Sequence, residues 1–133
     1  LKGNKVGAGF TRNTRGLNLP VEGGTLTEQG FGGAITGKSG DAVSTIHEGI
    51  VQDIQYKKLT NRYTIFLGYN EYLVTYTNLS SVSVKKGDVV KRDQKIGVIG
   101  SGIESTDKPY VRIAIYDCET KKPLQVSSFF KKL

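Results

Sequence analysis

Few residues in this chain can do acid–base, nucleophilic or metal chemistry. There is one His, His47, and one Cys, Cys118. A catalytic zinc needs three or four N, S or O ligands, normally with two His or a Cys among them. His47 and Cys118 are a thin supply, and no Asp/Glu cluster has the spacing of a calcium loop. His47 has no Ser or Cys motif to serve as base and reads as a packed or surface histidine. Cys118 stands between Asp117 and Glu119, a poor setting for a nucleophile. Alone it closes no internal disulfide. Gly30-Phe31-Gly32-Gly33 invites a phosphate-loop reading. Gly37-Lys38-Ser39 lacks the first glycine at the required offset, so a loop beside a groove fits better. The chemistry therefore points to binding rather than turnover.

The elements that would hold such a surface read as β throughout. The chain has 133 residues, 37% of them apolar, with 17 Gly and neither Met nor Trp. That suits one domain with a core of Val, Ile, Leu, Phe and Tyr. Residues 1–16 show no period and read as an irregular lead-in; 17–133 read as the domain. Leu17 to Val21 reads as a short strand, and 26–40, with its glycines, as a loop. Asp41 to His47 alternates, with Val43, Thr45 and His47 on one face. Glu48-Gly49 turns into a strand over 50–54. Tyr63–Leu67 and Tyr72–Tyr76 are rich in Tyr, Ile, Phe, Val and Thr and read as a hairpin around Gly68–Glu71. Val82–Val84, Val89-Val90 and Ile96–Ile99 continue in short pieces, 100–109 is a polar loop, and Tyr110–Tyr116 is the last strong strand. No segment carries a helical stripe. The expected fold is all-β: compact antiparallel sheets of short strands.

The formal net charge of +7 favours acidic partners. The cations are dispersed in pairs such as Lys57-Lys58 and Lys121-Lys122, without a basic block or an aromatic–basic string, so nucleic acid is not expected. No window reaches membrane-spanning length and residue 1 is Leu. Any signal or membrane anchor is expected to lie outside this stretch.

Two longer patterns go further. Tyr76-Thr77-Asn78-Leu79-Ser80, then Val84-Lys85-Lys86-Gly87-Asp88-Val89-Val90-Lys91-Arg92-Asp93-Gln94-Lys95-Ile96-Gly97-Val98-Ile99-Gly100, resembles the block Y-x-H-L-S…V-x-x-G-D-x-V-x-x-G-Q-x-I-G-x-x-G of the lysostaphin-like (LytM-type, M23) zinc peptidases. Pro109-Tyr110-Val111-Arg112-Ile113-Ala114-Ile115 resembles their P-H-L-H-F-E-I. Leu19-Pro20-Val21 and Gly40–Val51 resemble the upstream part, so the likeness spans about 17–130. It implies a lysostaphin-like fold built on a duplicated hybrid motif.

The resemblance also implies a zinc held by a His, an Asp four residues on and the second His of H-x-H. Those positions fall at Gly30, Ala34 and Arg112. Tyr110 takes the first His of H-x-H, and Asn78 the His before Leu79. Every metal ligand and both catalytic histidines are replaced, and Arg112 brings a permanent cation to the metal's place. No cofactor is expected. Tyr110, Arg112, Asn78, Tyr76, Gly30 and Ala34 are expected to line the vestigial groove as a partner-binding surface. The form is similar to degenerate LytM domains of the EnvC and NlpD kind, which implies a non-catalytic periplasmic or extracytoplasmic domain of the bacterial envelope. Its expected partner is a protein such as a cell-wall amidase, with peptidoglycan as a further ligand. The alternative is a scaffold in an envelope assembly. A lipoyl- or biotinyl-type carrier is disfavoured, because Asp107-Lys108 precedes Pro109 rather than sitting at a hairpin tip.

Overall fold

A computed structural model describes residues 17–69, 71–101 and 108–130; the lead-in over 1–16 lies outside them. The described chain is antiparallel β structure with one 3-10 turn at Val126–Phe129. The strands are β1 (Thr25–Gln29), β2 (Gly32–Thr36), β3 (Ala42–Ser44), β4 (Gly49–Lys57), β5 (Arg62–Tyr69), β6 (Tyr72–Val82), β7 (Val89–Val90), β8 (Lys95–Ile99), β9 (Tyr110–Asp117) and β10 (Lys122–Leu124). The main order is β1-β2-β9-β6-β5-β4-β7.

The hairpin read around Gly68–Glu71 is β5–β6, paired down to Tyr69 opposite Tyr72. Alternation sends Ile65 and Leu67 of β5, Val74 and Tyr76 of β6, and Val111, Ile113 and Ile115 of β9 into one core. Their neighbours Thr64, Thr75, Thr77, Tyr110 and Arg112 fall on the opposite, open face, as period 2 requires. β6 divides its partners. Tyr72–Thr77 pair with β9, whereas Leu79–Val82 pair with β8. The change falls at Asn78, a bulge residue skipped by the register with β5 and held at φ +74°.

The two G-x-x-type turns of the long sequence block are structural. Lys85–Asp88 closes with the Asp88 carboxylate accepting from the Lys85 N–H at 2.8 Å. Gly87 sits at φ +94°, where a side chain is strained. In the next turn the Gln94 side chain accepts from the Lys91 N–H at 2.9 Å. There Asp93 stands where the family pattern has Gly, and it adopts φ +64°. Buried Thr45 ties this turn inward, its hydroxyl donating to the Lys91 carbonyl at 2.6 Å.

Three expectations need correction. Residues 26–40 are not a loop; they contain the hairpin β1–β2. Their glycines serve close packing, since a Cβ on Gly32 would lie 2.8 Å from the Ile113 carbonyl and one on Gly33 2.7 Å from Leu26 Cδ1. Leu17–Val21 is not a strand. Leu17 makes one parallel bridge to Phe130, and Leu17 and Val21 are plugs with no exposed surface. The alternation read over Asp41–His47 holds only through β3, because Thr45, Ile46 and His47 are all buried.

Candidate functional site

The register lines up one row of residues on the open face. Thr27 lies opposite Ala34, Ala34 opposite Arg112, Arg112 opposite Thr77, and Thr77 opposite Thr64. The row crosses β1, β2, β9, β6 and β5. Paired residues in antiparallel strands stand about 4.5–5.5 Å apart at Cα. Ala34 and Arg112 are thus direct neighbours. Tyr110 is two residues before Arg112 on the same face, opposite Thr36.

Asn78 joins this group through its side-chain amide. Nδ2 donates to the Tyr110 carbonyl at 2.9 Å and to the Ser101 carbonyl at 3.1 Å. The left-handed backbone at Asn78 aims the amide there. Asn is among the few residues that adopt this conformation at modest cost. Asn78 is nearly buried, so it clamps the approach to β9 more than it offers a surface.

Arg112 is exposed, and its guanidinium donates to the Gln29 side chain across β2. Gly30 follows Gln29 in the β1–β2 turn at φ +68°, and its carbonyl accepts from Gln125 Nε2 at 3.1 Å. Tyr76 departs from expectation. It has no exposed surface, and its hydroxyl accepts from the Ile46 N–H at 3.0 Å. Burial pushes its phenol far above the usual range. Period 2 is the reason: Tyr76 follows Val74 onto the core face, and Thr77 is the residue that faces outward.

Two shallow depressions flank Tyr110. One, of about 420 Å³, lies over β5 and β6 and is lined by Lys57, Leu59, Thr60, Arg62, Thr64, Thr77, Asn78, Ser101 and Tyr110. The other lies over β1, β2 and β9 and is lined by Thr27, Gln29, Ala34, Thr36, Lys108, Tyr110 and Arg112. Arg62, Lys57 and the threonines were not singled out from sequence. Alternation along the hairpin places Thr64 and Thr77 on the open face. Arg62 opens β5 two residues before Thr64 and shares its face by the same alternation.

The residue set does not fit a zinc ion. Gly30 and Ala34 offer no side-chain donor, and Arg112 offers only donors on a permanent cation. Among the described residues no group of three His, Cys, Asp or Glu side chains is placed to hold a metal.

The profile of peptidase family M23 matches residues 29–125, well over half the chain. The chain belongs to that family. The match and the structural neighbours are consistent with a degenerate LytM-like domain. No curated protein gives a significant sequence match. Among solved structures, Helicobacter pylori Csd3 is similar with a TM-score of 0.69 at 20% identity, over 90% of this chain and 36% of that one. A zinc-containing peptidase from Vibrio cholerae is similar with a TM-score of 0.67 at 22% identity, over 83% and 39%. A chain of the SpoIIQ–SpoIIIAH pore-forming complex is similar with a TM-score of 0.70 at 20% identity, over 90% and 93%. This chain spans little more than a third of the Helicobacter and Vibrio proteins. At these identities the likeness concerns the fold.

Proposed function

We propose that this domain is a non-catalytic binding module of the bacterial cell envelope, and that it acts by switching on a cell-wall amidase. The observation that carries the reading is the row Ala34–Arg112–Thr77. The sheet is intact across this row, and the Arg112 guanidinium donates there to the Gln29 side chain. An open face with a Tyr and an Arg flanked by hydroxyls suits a protein segment. Tyr and Arg are favoured at the energetic centres of interfaces. Activation would be a population shift, the domain binding the open amidase conformation more tightly than the closed one. The setting is extracytoplasmic, where such a partner and peptidoglycan occur. Among the described residues no helix is long and apolar enough to cross a membrane.

The test is dye release from labelled peptidoglycan, with the domain alone, the organism's envelope amidase alone, and both together. Release that rises well above the amidase alone only in the mixture is the expected result. Arg112→Ala should then cut the stimulation by about tenfold or more, as a central interface arginine does. Release by the domain alone would overturn the reading.

A second reading has its own support. The fold likeness extends over 93% of a chain from a pore-forming complex, which favours a scaffold docking an envelope protein without any hydrolase. No stimulation in the mixture, with a structural partner recovered by co-purification from the envelope, would select it.

A further inference from the structure

Arg62 has a setting unlike the other cations of the open face. Its Nη1 donates to the carbonyls of Thr60 at 3.1 Å and Asn61 at 3.2 Å, and its Nη2 to that of Ser101 at 3.4 Å. Its Nε is buried and makes no hydrogen bond. The head is therefore fixed by neutral carbonyls, and no carboxylate among the described residues pairs with it; the ion pair found there is Arg92–Asp93. The neighbouring depression repeats the pattern, with Arg112 on the neutral Gln29 side chain. Lys57 and Arg62 line one side of Tyr110, Lys108 and Arg112 the other, and among the described residues no Asp or Glu lines either. Four cations stand on this face, and no carboxylate among the described residues pairs with them. Like charges on one face repel, and an arriving anion relieves that.

We propose that this cleft binds an acidic segment of a protein partner, and that Arg62 is the residue that anchors its carboxylate. The inference rests on the binding-module reading and gives its ligand a chemistry. With Nη1 given to two carbonyls, Nη2 to a third and Nε buried, the remaining Nη2 N–H is the donor for a carboxylate oxygen, and hydrogen bonds assisted by charge are the strong ones. The hydroxyls of Thr64 and Thr77 and the phenol of Tyr110 supply neutral polar contacts beside it. Leu59, 91% exposed at the β4–β5 turn, supplies an apolar wall that a peptide side chain would cover. A phosphate site would instead present a nest of free backbone N–H groups. Here the β5 and β6 backbones are committed to their ladder.

The experiment is fluorescence anisotropy of a labelled peptide of alternating Glu and Leu, with a Gln-for-Glu counterpart, titrated with the domain. The Glu peptide is expected to bind about tenfold or more tightly than the Gln peptide. Arg62→Gln should weaken it about tenfold, the loss of one charge-assisted contact. Lys121→Gln, which removes the same charge away from the cleft, should change it by less than about twofold. If Arg62→Gln does not fold, Lys57→Gln at the exposed rim carries the comparison, with an expected loss of about threefold. Equal weakening by Lys121→Gln and the cleft variants would reduce the effect to net charge and overturn the proposal. So would equal binding of the two peptides, or displacement by inorganic phosphate but not by acetate. The outcome is separable from the amidase test. Stimulated dye release with no Arg62-dependent peptide binding sinks only this inference, and peptide binding without stimulation sinks only the amidase reading.

Discussion

Asn78 combines a left-handed backbone with a buried amide that bridges two carbonyls. Asn78→Ala removes both hydrogen bonds and puts a residue that tolerates the left-handed conformation poorly where Asn adopts it at modest cost. The expected loss of stability is about 2–3 kcal/mol. Asn78→Gly loses the bonds but keeps the backbone free of strain, and should cost about 1 kcal/mol less. Urea titration of both variants checks this; equal losses would show that the backbone is not strained. The same residue marks how far the sequence could be read at this scale. The resemblance pointed to Asn78, Tyr110, Arg112 and Ala34; the register sets Ala34 beside Arg112, and the Asn78 amide reaches the Tyr110 carbonyl. Tyr76 lies inside instead, because alternation along β6 turns it inward with Val74. Arg62 belongs to no motif; it stands at the start of β5, on the face of Thr64.

At the level of the element, the turn Lys91–Gln94 offers the sharpest test. Asp93 takes a left-handed backbone where the family pattern has Gly. Its side chain makes only long contacts, with Asn18 at 3.4 Å and Arg92 at 4.0 Å. Asp93→Gly should therefore stabilise the domain by about 0.5 kcal/mol, the released strain exceeding the added freedom of the unfolded chain. Asp93→Ala should destabilise it by about 1 kcal/mol. Thermal melts should separate the two variants by several degrees, on the order of 5 °C for a domain of this size. A lower melting temperature for Asp93→Gly would mean that the weak side-chain contacts matter more than the backbone. The elements also show why the all-β class was legible and one hairpin was not. β5, β6 and β9 announce themselves by alternating β-branched and aromatic residues. β1–β2 hides behind Gly32 and Gly33, whose role is close approach to Ile113 and Leu26. Composition alone does not distinguish a glycine in a turn from one under a neighbouring strand.

For the molecule as a whole, acidification acts through two separable effects. The formal charge is +7, and one long ion pair is found among the described residues. Self-repulsion therefore grows as carboxylates protonate, and added salt relieves it. The second effect belongs to His47, which is buried against the Tyr69 ring at a centroid distance of 4.4 Å. Burial lowers its pKa most, and the Arg92 charge adds to this. The hydrogen bond to the Glu48 carbonyl and the Glu48 charge partly oppose it. A histidine whose folded pKa is depressed binds protons less readily in the folded state than in the unfolded one. Its contribution is fully present above the unfolded value of about 6.5. That contribution is lost as pH falls below 6.5, and the loss levels off beneath the folded value. His47→Gln removes this titration but leaves the net repulsion. Melting temperatures of the wild type and the variant at pH 7.5, 5.5 and 4.5, in low and in 300 mM salt, should resolve the two, since carboxylates begin to protonate only towards the lowest of these. The wild type should lose more on acidification than the variant at both salt concentrations, since a buried imidazole is screened little. Salt should recover part of the loss in both proteins by the same amount. If the wild type and the variant fall equally, His47 does not sense pH and the acid response is repulsion alone.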